Sequence, residues 1–420
     1  MIERSRRALG ATVNEYAEAM RRFSRNARLF LVAWGVQSVG IGILITVFAI
    51  YIKSAGLSEA VVGDTEGARA LAAAVVCLIA APLIAVLGYR RLMVIAAVLL
   101  GVARLGQAGM PQVAVLMAFG AMYGCGDGMF ASSAVAFLAE NSTPVERSHL
   151  FTADLFVNVA GSMIGGLLGG FLPTWIGAAA GGSDGLRSTV LIAGLLILAS
   201  AVPLMMMRER VARPGHAFRH YLDTLKGFQS WGHVGRLVVP QLLIPAGAGL
   251  IIPFLSLYLK QQLGASIGQV GLIQGLAQLS MGIAAIGAPY FAKRFGLVKT
   301  TVIAEAASLP FLAAIPFITS LPVAAVVFWL RAAFMNMSWP AWNQYTMEHV
   351  PGRERSIVAG ILAFAWSVSW LAGSALGGRL MAYSYTVPYM ITTALYAAGT
   401  LATWLLLRKH EEPPAWLEAT

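Results

Sequence analysis

The sequence predicts an all-α membrane protein whose twelve transmembrane helices form two six-helix, pseudo-symmetric bundles. Three observations carry that prediction. Of 420 residues, 58% are hydrophobic and only 12% charged, where a soluble domain carries about 25% charged residues. The apolar residues gather into blocks long enough to cross a bilayer, which takes about 20 residues at a rise of about 1.5 Å each. The blocks also recur in matched order at an offset of 207 or 208 residues.

Residues 1–27 form a basic N-terminal segment. Ile2, Leu9, Val13, Tyr16, Met20 and Phe23 fall on one helical stripe, and Arg4, Arg6, Arg7, Arg21, Arg22 and Arg25 cover much of the remainder. Such a segment reads either as a helix lying flat on an anionic membrane face or as a frayed basic tail. The first bundle, residues 28–207, holds spans 1–6 near 29–52, 60–84, 91–109, 113–138, 149–171 and 188–207. A linker, 208–235, carries Phe218, Tyr221, Leu222, Leu225 and Phe228 at amphipathic spacing. The second bundle, residues 236–407, holds spans 7–12 near 236–258, 268–291, 299–319, 322–347, 356–378 and 386–407, and 408–420 is a tail. Embedded charges make spans 2, 3 and 9 the weakest signals.

The repeat shows in short motifs. GIG at 40–42 and YIK at 51–53 answer GAG at 247–249 and YLK at 258–260. LGYRR at 87–91 answers FGLVK at 295–299, PVERS at 144–148 answers PGRERS at 351–356, and GGLLGG at 165–170 answers GSALGG at 373–378.

The formal charge of +11 would suggest nucleic acid in a soluble protein. Its placement says otherwise. The termini and the even-to-odd connections hold 23 of the 30 Lys and Arg residues, so the positive-inside rule places both termini in the cytoplasm. The expected setting is the inner (plasma) membrane, with lipid and a small-molecule solute as partners, no nucleic acid, and a monomer sufficient for the fold. Cys77 and Cys125 offer neither a disulfide framework nor ligand spacing. All six histidines lie between or after the apolar blocks. No metal, no cofactor and no enzymatic constellation is expected.

This six-plus-six arrangement resembles the major facilitator superfamily of secondary transporters over essentially the whole chain. Of the loop pattern Gly-x-x-x-Asp-Arg-x-Gly-Arg-Arg, this sequence keeps Gly88, Arg90 and Arg91 but has Ala85 at the acidic position. The second copy keeps Gly296 and Lys299, with Lys293 at that position. Glu140 with Arg147, and Glu348 with Arg355, look like the family's acid and arginine closing spans 4 and 10. GSMIGGLLGG at 161–170 is similar to the antiporter pattern G-x-x-x-G-P-x-x-G-G, with Gly166 in place of proline. Small residues at that spacing also simply let helices approach. The resemblance implies that spans 1, 4, 7 and 10 line the pathway.

Polar groups inside the spans mark candidate sites, because a charge there costs about 2.5–3.5 kcal/mol on insertion scales. On span 10, taking Arg331 as zero, Met335, Ser338, Trp342 and Tyr345 fall within roughly 40° of it, and Trp339, Asn343 and Asn336 follow at about 80–140°. That face suits an aqueous cavity. Trp339 and Trp342 are then stacking surfaces, Asn336 and Asn343 hydrogen-bond partners, and Arg331 an anion ligand or the partner of an acid. Gln37, Trp34 and Gln241 on spans 1 and 7, and Trp366 with Trp370 on span 11, add wall candidates. Asp127, between glycines on span 4, has no basic neighbour within a turn; it is the first choice for a proton-loading carboxyl, with Arg331 as the partner if it is paired instead. Glu66 is the second proton-coupling candidate. It stands three residues from Arg69, a gating candidate able to neutralise it, and aligns with Gln274, one turn from Gln278. Asp154 and Asn158 suit an inner gate, and Glu305 on span 9 reads as peripheral.

Few charges among aromatics and amides suit a neutral or amphipathic organic solute moved by alternating access. Proton-coupled export is the leading expectation. Uptake, or facilitated movement, of a polar nutrient such as a sugar is the alternative.

Overall fold

A computed structural model describes residues 23–180, 184–208, 227–351 and 354–410. The basic segment 1–22, most of the linker and the tail from 411 lie outside the described residues, and with them the two surface-helix expectations. Among the described residues there is no strand. Span 1 is Arg25–Ser54, its start capped by the Ser24 hydroxyl accepting from Ala27 N–H. Spans 2 and 3 run as Glu59–Gly109 with a break at Gly88. Spans 4 and 5 are Val113–Glu140 and Pro144–Ala180. Span 6 is Gly185–Ala199 continued by Ala201–Met205. Span 7 is Trp231–Ile251 and Leu255–Gln261, joined by the 3₁₀ turn Ile252–Phe254, where Pro253 removes a helical donor. Spans 8–12 are Ile267–Phe295, Leu297–Ala314, Leu321–Glu348, Arg355–Met381 and Thr386–Leu407.

Eleven of these are long and apolar enough to cross a membrane. The twelfth, 59–87, carries Asp64, Glu66 and Arg69 in its first turns and is uncharged and apolar from 70 to 87.

The duplication is visible in backbone geometry. The four positive-φ glycines form two pairs 208 residues apart, Gly56 with Gly264 and Gly88 with Gly296. These are the turns where only glycine takes a left-handed φ without strain. Tyr51 donates to Ala108 O at 3.0 Å, and Tyr258, its counterpart, donates to Ile315 O at 2.8 Å. A Cβ on Gly165 of span 5 would overlap Val39 O of span 1. A Cβ on Gly373 of span 11 would overlap Ala246 O of span 7 in the same way.

The halves meet along two seams, span 5 against span 8 and span 2 against span 11. On span 5, Gly165 and Gly169 face span 1, while Gly166 and Gly170 face Gly275 and Gly271 of span 8. The glycine pattern therefore serves two close packings at once, one of them between halves. Gly63 packs on Ser374, and Gly378 on the Glu59 backbone, along the other seam.

Candidate functional site

Which end of the molecule is sealed follows from its polar contacts. The described hydrogen bonds and ion pairs between halves lie away from the termini: Arg379 with Asp64 at 2.9 Å, and Gln274 Nε2 donating to Ile45 O at 3.3 Å. Toward the termini, the described polar contacts lie inside one half. Tyr89 donates to Glu140 at 2.9 Å, Arg90 donates to Met205 O, and Asn26 bonds Asn141. In the second half, Gln229 N–H and Ser230 donate to Glu354. Among the described residues, spans 4 and 10 are not extensively packed against each other. Among the described residues, the contacts that join the halves gather at the far face, and the face bearing the termini shows none between spans 4 and 10 of comparable extent.

Two cavities lie inside that closure. The first, about 290 Å³, belongs to the second half. Span 10 contributes Arg331, Met335, Asn336, Ser338, Trp339 and Trp342, the face given by helix arithmetic. Spans 7, 9, 11 and 12 add Gln241, Glu305, Trp366, Trp370 and Tyr396. Trp339 and Trp366 meet edge to face at 5.2 Å, and Trp366 stacks on Trp370 at 6.3 Å. Asn336 Nδ2 is turned back on Ala332 O, and Arg331 donates to the Tyr396 hydroxyl at 3.1 Å. Glu305, 5% exposed, accepts from Thr400 at 3.0 Å.

The second cavity, about 260 Å³, is walled by the first half and shares Ile252 and Trp370 with the other. Its centre is an ion triad. Arg69 reaches Glu66 at 2.7 Å and Asp127 at 2.7 Å. Two carboxylates on one guanidinium leave a formal charge of −1 when both are ionised, so the group can accept one proton and become neutral. Arg104, 5% exposed, sits over the Phe48 and Tyr123 rings at 4.2 and 3.9 Å and bonds Gln107.

Several sequence expectations change. The partner of Asp127 is Arg69, from span 2, and not Arg331, which stands in the other cavity. Glu305 is no peripheral residue: it lines the cavity of the second half. Gln37 is 2% exposed and accepts from Ser200 inside the first half, so it lines neither cavity. Gln274 is spent on the Ile45 carbonyl at the seam. Gln278 and the exposed Asn343 lie outside both cavity walls. Trp34 stacks on Phe130 within the first half. At the termini-bearing face, Glu140 is held by Tyr89, Glu348 by Gln344, and Arg355 bonds Val350 O, while Arg91 is exposed. The side chain of Arg147 lies outside the described residues. Asp154 is half-buried near the same end of span 5, one turn from Asn158, which bonds Ser38.

A family model described as Major Facilitator Superfamily matches residues 30–240 and 237–419. The chain is 29% identical over 168 residues to a protein of Planococcus maritimus named Na(+), Li(+), K(+)/H(+) antiporter, covering 39% of this chain and 38% of that one. It is 24% identical over 265 residues to the multidrug resistance protein MdtG of Escherichia fergusonii, covering 61% and 62% respectively. The chain thus spans less than two thirds of either relative. Among solved structures, it matches a bacterial homologue of the human lysosomal transporter Spinster, inward-facing and unoccupied. The TM-score is 0.74 at 13% identity, covering 93% of this chain and 98% of that one. A D-xylose–proton symporter gives 0.69 at 17% identity, covering 90% and 97%. At such identities the likeness shows the fold.

Proposed function

The chain belongs to the major facilitator superfamily, and on that premise we propose that it exports a small neutral or amphipathic organic solute by alternating access coupled to proton entry. The observation that carries this reading is a pair of cavities, one walled by each half and sharing Ile252 and Trp370, where the halves are joined at the far face. Rocking the halves about the shared centre would expose the same walls to the opposite side.

Roles divide between the walls. Trp339, Trp342 and Trp366 offer stacking faces, and Gln241 and Asn336 offer amide groups, to the solute. Asp127 and Glu66 compete for Arg69, and protonating either carboxyl frees part of the guanidinium's hydrogen-bonding capacity. That competition is a physical route for coupling a proton to movement of the halves. Arg90, Arg91, Arg147, Glu140, Glu348, Arg355 and Asp154 sit where a termini-side gate would close. The charge distribution supports cytoplasmic termini in the inner membrane, and the two seams are satisfied within one chain, which supports a monomer.

Thiol accessibility tests the reading. In a Cys77→Ser, Cys125→Ser background, Asp127→Cys and Asn336→Cys are expected to react with a small hydrophilic thiol reagent added at the termini-bearing face. Ile283→Cys, on an exposed helix back, is expected to stay inert in vesicles. Unreactive 127 and 336 with a reactive 283 would mean a dry centre and no transport path.

The relative named an antiporter and the multidrug relative both favour export. The amides of Gln241 and Asn336 favour the alternative, uptake or facilitated movement of a polar nutrient. Flux of solute against an imposed pH gradient in oriented proteoliposomes separates the two directions.

A further inference from the structure

We propose that the cavity of the second half binds the acidic head group of an amphipathic organic anion through Arg331, an assignment that rests on the transport reading and narrows its solute class. Arg331 is 5% exposed at mid-span. Its guanidinium stays charged at any physiological pH, and a buried charge without compensation is costly. The two arginines that line the cavity of the first half give the comparison: Arg69 is bound by two carboxylates, and Arg104 lies over two rings and bonds Gln107, although its Nε is also buried without a partner. Arg331 has neither. Its hydrogen-bond partner is the neutral Tyr396 hydroxyl, no described carboxylate lies in ion-pair range, and its Nε is buried without a partner.

A second independent group points the same way. Trp370 lines the same cavity and also keeps a buried, unpartnered N–H. Two donors with no acceptor call for an acceptor, and a carboxylate satisfies a guanidinium with two parallel bonds. The acid on that wall, Glu305, is tied to Thr400 on span 12. Glu305 can shed its charge by taking a proton, whereas Arg331 cannot, so the obligatory charge of the cavity is positive. The stacked Trp366–Trp370 pair and the crossed Trp339 give a planar wall for an apolar, ring-bearing body. An organic cation seated on Glu305 is the opposite assignment, and it would leave Arg331 facing like charge.

Matched probes decide the question. Equilibrium dialysis of the purified chain in detergent with 2-naphthoate, 2-naphthamide and 2-naphthylmethylammonium should give at least tenfold tighter binding of the carboxylate than of the amide, with the ammonium weakest. Arg331→Gln should bring the carboxylate to the level of the amide, and Arg331→Lys should keep part of the preference. Equal binding of carboxylate and amide, preference for the ammonium, no binding of any probe, or a preference that survives in folded Arg331→Gln each overturns the assignment. Proteoliposome counterflow keeps the two readings apart. Naphthoate that binds but is not carried refutes transport and leaves the anion site standing; naphthamide carried with no preference for naphthoate does the reverse.

Discussion

The two halves share a frame and differ in their walls. The same tyrosine–carbonyl bond, the same glycine contacts and the same left-handed turns recur 207 or 208 residues apart. Yet the first half faces the centre with Glu66, Arg69 and Asp127 bound together, and the second with tryptophans around an arginine that lacks an acid. Close helix packing tolerates almost no change, because a Cβ at Gly165 or Gly373 would strike backbone. Cavity walls are freer, since a new side chain there meets space. Duplication has therefore kept what packs and let diverge what faces the cavities, giving one wall with an ion triad and one with rings around an arginine.

The sharpest way to break that division is Asp127→Asn. It removes the acid that competes with Glu66 for Arg69. Solute flux driven by a pH gradient in proteoliposomes should fall to background, while counterflow, which needs no proton coupling, persists. Unchanged uphill flux would take Asp127 out of the coupling role and move the proton to the other wall, where Glu305 stands.

Next in size is the seam. A Cβ on Gly271 would lie 2.6 Å from the Gly170 Cα, and backbone cannot yield as a flexible side chain can. Gly271→Val should wedge spans 5 and 8 apart at the far face and cost more than tenfold in transport rate, with new labelling of Asn336→Cys from that face. Gly287→Ala, on the same helix with nothing within 4 Å of the added carbon, should transport normally. A Gly271→Val protein that transports like the parent would mean the seam is not the hinge of the mechanism.

A smaller effect belongs to the aromatic wall. A ring of the solute stacked on Trp339 is worth about 0.5–1.5 kcal/mol beyond buried area. Trp339→Ala should therefore raise KM about three- to tenfold with little change in maximal rate. A change confined to maximal rate would assign Trp339 to the motion of span 10 and not to the solute.

How far the sequence could be read depended on whether a signal was periodic. Span lengths, the repeat and the inward face of span 10 are periodic, and Arg331, Met335, Ser338 and Trp342 share the cavity wall that one helical stripe describes. Partnerships between helices have no such period. Asp127 shows no base within a turn because its base, Arg69, comes from another helix 58 residues away. Gln37 shows polarity without direction, and it points to Ser200 of its own bundle. The family's usual span order puts span 9 at the periphery, yet Glu305 reaches the cavity wall beside Tyr396. Arg104 and Tyr123 carry no signal in the sequence, because an arginine placed over rings has no acid to mark it.

The smallest expected effect is at the far-face latch. Asp64 and Arg379 form the ion pair that crosses between halves among the described residues, and both side chains are partly open to solvent, at 27% and 56%. An exposed pair of this kind contributes about 0–1 kcal/mol, so Arg379→Gln should shift the balance between the two openings by no more than about fivefold. The rate at which Asn336→Cys is labelled from the termini-bearing face measures that balance. A modest fall would assign the latch a share of the closure and leave most of it to the glycine seams, which bring backbone against backbone over several turns. A fall beyond tenfold would reverse that ranking, making charge and not packing the element that holds the far face shut; the effect should then weaken steeply with salt, since exposed ion pairs are screened.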